Sequence, residues 1–187
     1  MGKAKKFSGT LFRRSWGFWS MFLILLPVSV YGQDNGMSIG YGTGALNPHE
    51  RFGHIPDDQG YEFLQVSYFH QFALFENGFF VLEPYFSYTY RTMEGTDLGL
   101  SLYLKYNFLN WNSSKNSLYA TLGTGGVVTS VHFTDQASHE LFILQGGVGF
   151  KWDRFFIDGR VRHYSNGGFA TPNTGLQSII LSTGFLF

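Results

Sequence analysis

The sequence predicts an all-β chain that folds as an eight-stranded antiparallel transmembrane β-barrel. Three observations predict this fold class. Phe, Tyr and Trp make up 19% of the 187 residues and Gly contributes 24 of them, whereas charged residues make up only 14%. Apolar and polar residues alternate with a period of two over most of the chain, as they do in strands with two different faces. The N-terminal residues are instead basic and then continuously apolar, as in a segment that directs export.

The N-terminal segment has the composition of a bacterial secretory signal peptide. Its basic residues are Lys3, Lys5, Lys6, Arg13 and Arg14. An apolar run over residues 16–30 follows, and Val30-Tyr31-Gly32 fits a small-residue cleavage site. A membrane anchor is the alternative interpretation, but this run contains Pro27 and is shorter than the about 20 residues of a spanning helix. We therefore predict a signal peptide over residues 1–32 and a barrel domain over residues 33–187.

Eight segments of the remaining chain carry the strand pattern. They lie at residues 36–44, 61–72, 79–90, 96–108, 117–129, 139–150, 154–166 and 176–187. The fourth is the clearest, because every second residue from Leu98 to Phe108 is apolar or aromatic. Turn signals separate several segments, namely Glu76-Asn77-Gly78, residues 110–116 and Lys151-Trp152-Asp153. The Asn-Gly pair in particular favours a hairpin.

A soluble barrel would bury the apolar faces of these strands, whereas a membrane barrel turns them outward and keeps the polar faces in the lumen. Segments of roughly 10–13 residues match the about 9–11 residues of a tilted membrane crossing. The chain also ends in Phe185-Leu186-Phe187, which resembles the C-terminal assembly signal of bacterial outer-membrane barrels. We therefore predict an outer-membrane barrel with loops 45–60, 91–95, 130–138 and 166–175 outside the cell. Connections 73–78, 109–116 and 151–153 then face the periplasm.

The lumen of so narrow a barrel is filled by side chains. We expect a network of charged residues there, formed by Glu83, Lys105, Lys151, Asp158, Arg160 and Arg162. We therefore expect no open pore.

Several function classes are excluded by composition. The chain has no Cys, so it has no thiolate metal site and no cysteine nucleophile. Without the five basic residues of the signal, eight Lys and Arg remain against 13 Asp and Glu, a charge of −5 that is wrong for a nucleic-acid partner. The acidic and His residues of the first outer loop lack the spacing of a zinc protease; they are His49, Glu50, His54, Asp57 and Asp58. We expect a monomer with no metal and no organic cofactor.

Three polar residues lie on the apolar face near the outer ends of the last two segments. His163 and Ser165 alternate with Arg162 and Tyr164, and Gln177 lies on the corresponding face of the eighth segment. If the charged face lines the lumen, all three point toward lipid. One interpretation is that they lie at the headgroup level, where polar groups are tolerated. The other is a Ser nucleophile and a His base acting on an ester of an outer-leaflet lipid.

The last hairpin also resembles a known family. Arg162-His163-Tyr164-Ser165-Asn166-Gly167-Gly168, followed by Pro172-Asn173-Thr174-Gly175, is similar to the signature of PagL-type lipid A 3-O-deacylases and related acyloxyacyl-hydrolase-like barrels. The resemblance implies an esterase that removes an acyl chain, expected to be the 3-O chain, from lipid A of lipopolysaccharide in the outer leaflet.

The resemblance also implies roles for individual residues. Ser165 attacks the ester carbonyl and His163 takes its proton, while backbone amides of residues 166–168 stabilise the oxyanion. The Gly-rich turn formed by Gly167 and Gly168 suits this role. Asn173 and Gly175 are expected to shape the loop.

The sequence departs from the family pattern at one site residue. The family has a Glu where this chain has Gln177, which can accept the ring N–H of His163 but carries no charge. Glu140 is an alternative acid, because it starts the sixth segment on the outward face. Pairing that segment with the seventh about Trp152-Asp153 predicts Glu140 close to Ser165 and Phe142 close to His163.

Two other functions remain open on the sequence alone. A small outer-membrane barrel with a structural or binding role needs no catalytic pair, and it is the main alternative. An acyltransferase is a third possibility, which would add an acyl chain where an esterase removes one.

Overall fold

Eight antiparallel strands, β1 to β8, form the fold in a computed structural model that describes residues 33–46, 60–112, 115–133, 136–173 and 175–187. The strands are Gln33–Leu46, Gly60–Phe75, Gly78–Tyr90, Gly95–Trp111, Asn116–Thr129, Glu140–Trp152, Phe155–Ser165 and Leu176–Leu186. All eight predicted strands are present, and their ends lie within a few residues of the predicted ones. The signal peptide predicted at residues 1–32 lies outside the described residues.

The strands close into a barrel in chain order. Each strand pairs with the next, and β1 pairs with β8, for example through Tyr41 and Leu181. Closure gives every strand two neighbours, so no backbone edge is left unpaired toward lipid. The predicted fold class is therefore confirmed. In the described residues, no helix is long and apolar enough to cross a membrane.

The outer and inner faces of the wall carry opposite kinds of side chain. On β3, Phe86 and Tyr88 are exposed on the outside, whereas Glu83, Ser87 and Thr89 are buried in the lumen. The same alternation recurs on every strand, and it confirms that the apolar faces point outward. Exposed aromatic residues also lie at the strand ends next to the short turns; they include Phe75, Trp152, Phe155 and Phe187.

Charged residues from different strands meet inside the barrel, as predicted. Arg160 on β7 pairs with Glu83 on β3 across the lumen, and also with Asp158 at 3.0 Å. Arg162 does not pair with a carboxylate directly; it donates hydrogen bonds to Gln145, Gln65 and Tyr164. Because these side chains are buried and bonded inside, they fix which face of β7 points into the lumen.

The barrel has two different ends. At one end the strands are joined by tight turns, for example at residues 76–77 and 153–154. At the other end lie residues 91–94, 130–133, 136–139, 166–173 and 175. Residues 47–59, the greater part of the predicted first outer loop, are outside the described residues. The second end, which we call the loop end, carries the candidate site.

Candidate functional site

His163 and Ser165 lie on the outer wall at the loop end of β7. They alternate with Arg162 and Tyr164, whose side chains are buried in the lumen. The inner hydrogen bonds of Arg162 hold the strand in this orientation. His163 and Ser165 are half-buried on the outside. The two side chains therefore share one face of one strand, two residues apart, and that face is the one predicted.

Gln177 is the direct cross-strand partner of His163 in the β7–β8 pair. Side chains of directly paired residues have Cβ atoms about 4.5–5.5 Å apart, so the carboxamide is within reach of the imidazole. Among the described residues, no hydrogen bond joins the side chains of His163, Ser165 and Gln177. Catalytic hydrogen bonds often tighten only when substrate binds, so the pairing of residues is the relevant geometric observation here.

The pairing of β6 with β7 differs from the predicted pairing by two residues. Phe142, not Glu140, is the partner of Ser165, and Leu144 is the partner of His163. The prediction was wrong because the turn lies at residues 153–154, one residue later than assumed, with Asp153 at φ 54°. Moving a hairpin turn by one residue moves every partner by two. Glu140 therefore lies two residues beyond Phe142, the β6 partner of Ser165, and its own partner on β5 is Val128.

Asn166 organises the loop that follows Ser165. Its side chain is buried, and its Nδ2 donates to the carbonyl oxygens of Ala170 at 3.0 Å and Pro172 at 3.1 Å. Its Oδ1 accepts a hydrogen bond from the backbone N–H of Gly168 at 2.9 Å. Asn173 completes the loop, because its Oδ1 accepts from the backbone N–H of Asn166 at 2.9 Å. The loop is therefore held by side-chain amides rather than by strand pairing.

The hydrogen bonds within this loop bear on which backbone N–H group of residues 166–168 can donate to an oxyanion. The backbone N–H groups of Asn166 and Gly168 already donate within the loop. No described residue accepts a hydrogen bond from the N–H of Gly167. Gly167 has a φ of +66°, a conformation that favours glycine and that turns successive N–H groups toward one side. Among the described residues, the N–H of Gly167 is therefore the one of the three predicted amides that can donate to an oxyanion.

Two aromatic rings pack together beside Ser165: Phe142, which the sequence predicts next to His163, and Phe169, for which the sequence makes no prediction. Phe142 lies across from Ser165, and its ring centroid is 5.9 Å from that of Phe169 in the loop. Phe169 is 85% exposed, although it is a large apolar side chain. The signal for Phe142 was present in its outward position on β6, but only the correct register brings it to Ser165. Together the rings give the site an apolar rim.

The neighbouring loop supports the site loop. Gln136 and Asn173 form an isolated β-bridge, and the backbone N–H of Ala137 donates to the carbonyl of Pro172 at 3.1 Å. Gln136 and Ala137 therefore attach their segment to the loop that carries the site. Sequence analysis had no signal for this contact, since it depends on the paths of two irregular segments.

Within the described residues, no group of three or more His, Cys, Asp or Glu side chains is arranged to hold a metal ion. The acidic and His residues of the first outer loop, which sequence analysis considered and set aside as a metal site, lie outside the described residues. They are His49, Glu50, His54, Asp57 and Asp58.

The chain is similar in sequence to a known protein family and in fold to solved barrel structures. The family model described as lipid A 3-O-deacylase (PagL) matches residues 59–185, which is more than half of the chain. A crystal structure of the outer membrane enzyme PagL superposes with a TM-score of 0.59 at 19% identity, covering 79% of this chain and 98% of that one. No curated protein sequence matches the chain.

Two further barrels with other names share the fold. Neisserial surface protein A superposes with a TM-score of 0.54 at 12% identity, covering 83% of this chain and 97% of that one. Ail, the attachment invasion locus protein of Yersinia pestis, gives 0.50 at 12% identity, with 82% and 98% covered. At these identities the structures establish the fold alone, and the residues of the site must carry any functional argument.

Proposed function

Since the chain belongs to the lipid A 3-O-deacylase (PagL) family and is a barrel of the bacterial outer membrane, we propose that it is a serine esterase that hydrolyses an ester-linked acyl chain of lipid A. The observation that carries the proposal is the pair formed by His163 and Ser165, which lies on the lipid-facing wall at the loop end. A lipid in the same leaflet reaches such a pair from the side. The preference for the 3-O chain rests on the family alone.

The proposed reaction follows the chemistry of serine esterases. The Oγ of Ser165 attacks the acyl carbonyl carbon while His163 accepts the hydroxyl proton. The backbone N–H of Gly167 donates to the oxyanion that forms. Collapse of this intermediate breaks the ester bond, and the imidazolium of His163 returns its proton to the departing sugar hydroxyl. Water then attacks the acyl-enzyme with His163 as the base, which releases the fatty acid and restores Ser165.

Gln177 takes the position of the third catalytic group in this proposal. Its carboxamide oxygen can accept the imidazole N–H of its partner His163, which favours one tautomer of the ring. It supplies no negative charge to stabilise the imidazolium. In a serine protease the corresponding change from acid to amide lowers turnover about 10⁴-fold. We therefore propose an enzyme that is slower than one with a carboxylate at position 177, and we assign no part in the reaction to Glu140, which does not pair with Ser165.

The apolar rim supports the choice of substrate. Phe142 and Phe169 would contact the methylene groups next to the scissile ester, since both rings are exposed, Phe142 is the cross-strand partner of Ser165 and Phe169 packs against Phe142. An acyl chain in the bilayer is already out of water, so the rings would hold it in register with Ser165 through dispersion contacts of about 0.1–0.2 kcal/mol per atom pair. The water needed for deacylation is available at the loop end, at the level of the lipid headgroups.

The test compares lipid A from bacteria that express the parent chain or Ser165→Ala. Mass spectrometry is expected to detect lipid A that has lost one acyl chain when the parent protein is expressed, and intact lipid A when the variant is expressed. Thr183→Ala is a matched control, because it removes another outward-facing hydroxyl at the far end of β8; it should behave as the parent does. Identical spectra for the parent and Ser165→Ala, with both proteins folded, would contradict the proposal.

The alternative function is a barrel without catalytic activity, and one observation favours it. Gln177 replaces the acid that the resemblance leads us to expect. The same mass comparison separates the two functions, because a non-catalytic barrel leaves lipid A unchanged. Gain of a chain instead of loss would indicate an acyltransferase.

A further inference from the structure

The backbone of Gly175 lies against the imidazole of His163 more closely than a residue with a side chain would allow. A Cβ atom built on Gly175 would lie 2.3 Å from Cε1 of His163, 3.1 Å from Nε2 and 3.2 Å from Nδ1. The three nearest atoms all belong to this one ring. A contact below 3.0 Å is not tolerated by real Cβ atoms, so the ring would have to move.

The backbone conformation at residue 175 gives no other reason for glycine. Gly167 and Gly168 in the same loop have φ values of +66° and +79°, which strain most other residues. Gly175 does not have a positive φ of this kind. An alanine would therefore fit the backbone, and only the imidazole excludes it.

The strand register explains why this space matters for the proposed reaction. Tyr164 pairs with Leu176, and the next pair in the same register would set Gly175 across from Ser165. A side chain at position 175 would stand on the outer face about 5 Å from that of Ser165. The ring of His163 occupies this volume instead. The imidazole therefore leans from its own cross-strand pair toward the pair that contains Ser165.

We infer that Gly175 is a positioning residue for the imidazole of His163, an inference that rests on the proposed function. The missing side chain leaves a slot across from Ser165, and the imidazole fills that slot. A larger residue at position 175 turns the ring out of the slot and away from the Oγ of Ser165. It thereby impairs proton transfer without contacting the substrate.

The first experiment measures kcat and KM of purified, folded Gly175→Ala with lipopolysaccharide micelles as substrate. We expect kcat to fall about 100-fold, the typical cost of misplacing a reacting group by about 1 Å. We expect KM to change little, because the acyl contacts of Phe142 and Phe169 remain. The matched control is Gly159→Ala. Gly159 faces outward on β7, the strand that carries His163, and a Cβ atom at this position would meet nothing within 4 Å. The kcat of Gly159→Ala should equal that of the parent, and equal kcat for Gly175→Ala would overturn the inference.

A double-mutant cycle separates positioning of the ring from a general structural role. In a His163→Ala background the ring is absent, so Gly175→Ala should cause no further loss of the residual activity. A loss as large as in the parent background would overturn the inference. If Gly175→Ala alone does not fold, the double variant should restore folding; failure of both would show that backbone, not the imidazole, excludes the Cβ atom. Absence of Ser165-dependent hydrolysis in the parent would instead refute the proposed function, and the inference with it.

Discussion

Replacement of Gln177 by Glu is expected to raise the kcat of the proposed esterase about 5- to 1,000-fold. Gln177 is paired directly with His163, so a carboxylate at this position can accept the ring N–H and stabilise the positive charge that develops on the imidazole. The substitution changes one amide into a carboxylate of nearly the same shape on an exposed part of the wall. We therefore expect the barrel itself to be unaffected.

The magnitude follows from the cross-strand geometry. Directly paired side chains bring a carboxylate and an imidazolium to about 4 Å, where two unit charges attract by about 1 kcal/mol in water and about 4 kcal/mol at an effective dielectric constant of 20. The exposed Gln177 and the half-buried His163 lie between these two limits. Each 1.36 kcal/mol of transition-state stabilisation changes the rate about tenfold, which gives the stated range.

The assay follows release of fatty acid from lipopolysaccharide by the purified protein. Gln177→Asn is the matched control, since it keeps an amide but withdraws it from the imidazole, and its kcat should not exceed that of the parent. Ser165→Ala combined with Gln177→Glu should have no activity above background. A folded Gln177→Glu variant with a kcat at or below the parent value would refute the proposed role of position 177.

Three further predictions follow from other residues. Glu140→Gln should leave kcat unchanged, because Glu140 lies two residues beyond the β6 partner of Ser165; a marked fall in the same fatty-acid assay would indicate that Glu140 acts as the acid. Phe169→Ala should lower kcat/KM about tenfold through lost dispersion contacts with the acyl chain, and its thermal midpoint should not change because the ring is 85% exposed; an unaltered kcat/KM would show that Phe169 does not contact the substrate. Arg160→Met should lower the free energy of unfolding by about 3–5 kcal/mol, since Glu83 and Asp158 lose the buried cation that pairs with both; urea denaturation in detergent measures this, and full stability would argue against the lumen network.

The faces of the strands could be predicted from sequence because lipid and lumen select opposite residue types. Phe86 and Glu83 on β3 illustrate this, since the former is exposed on the wall and the latter is buried inside. Side chains alternate between the two faces of a strand, so a register error of two residues moves each residue to another partner but leaves it on the same face. This is why His163 and Ser165 were assigned to the correct face although the pairing of β6 with β7 was wrong.

The register itself could not be predicted, because it depends on one turn. The sequence predicts a turn at Lys151, Trp152 and Asp153, whereas Asp153 and Arg154 form it. Both positions suit the local sequence, and the positive φ of Asp153 is a property of the folded chain. As a consequence, Phe142 lies across from Ser165 and not, as predicted, beside His163, and Glu140 lies two residues farther along β6.

The loop after β7 was predicted only in part. Its Gly and Asn residues indicated a tight and irregular segment, but not which amide would bond to which carbonyl. Asn166 bonds to Ala170 and Pro172 because the backbone curls around its buried side chain. Such a path is set by the whole loop and by its contacts with residues 130–139, which lie far away in sequence.

A hydroxyl and an imidazole on the outside of a barrel wall at the level of the headgroups meet water and the molecules that diffuse within the same leaflet. For such a site the surrounding glycolipids form a two-dimensional solvent. In the proposed reaction, the cleaved chain would leave and one neighbour would replace the next by lateral movement. A site on the wall would therefore need neither a lid nor an entry channel.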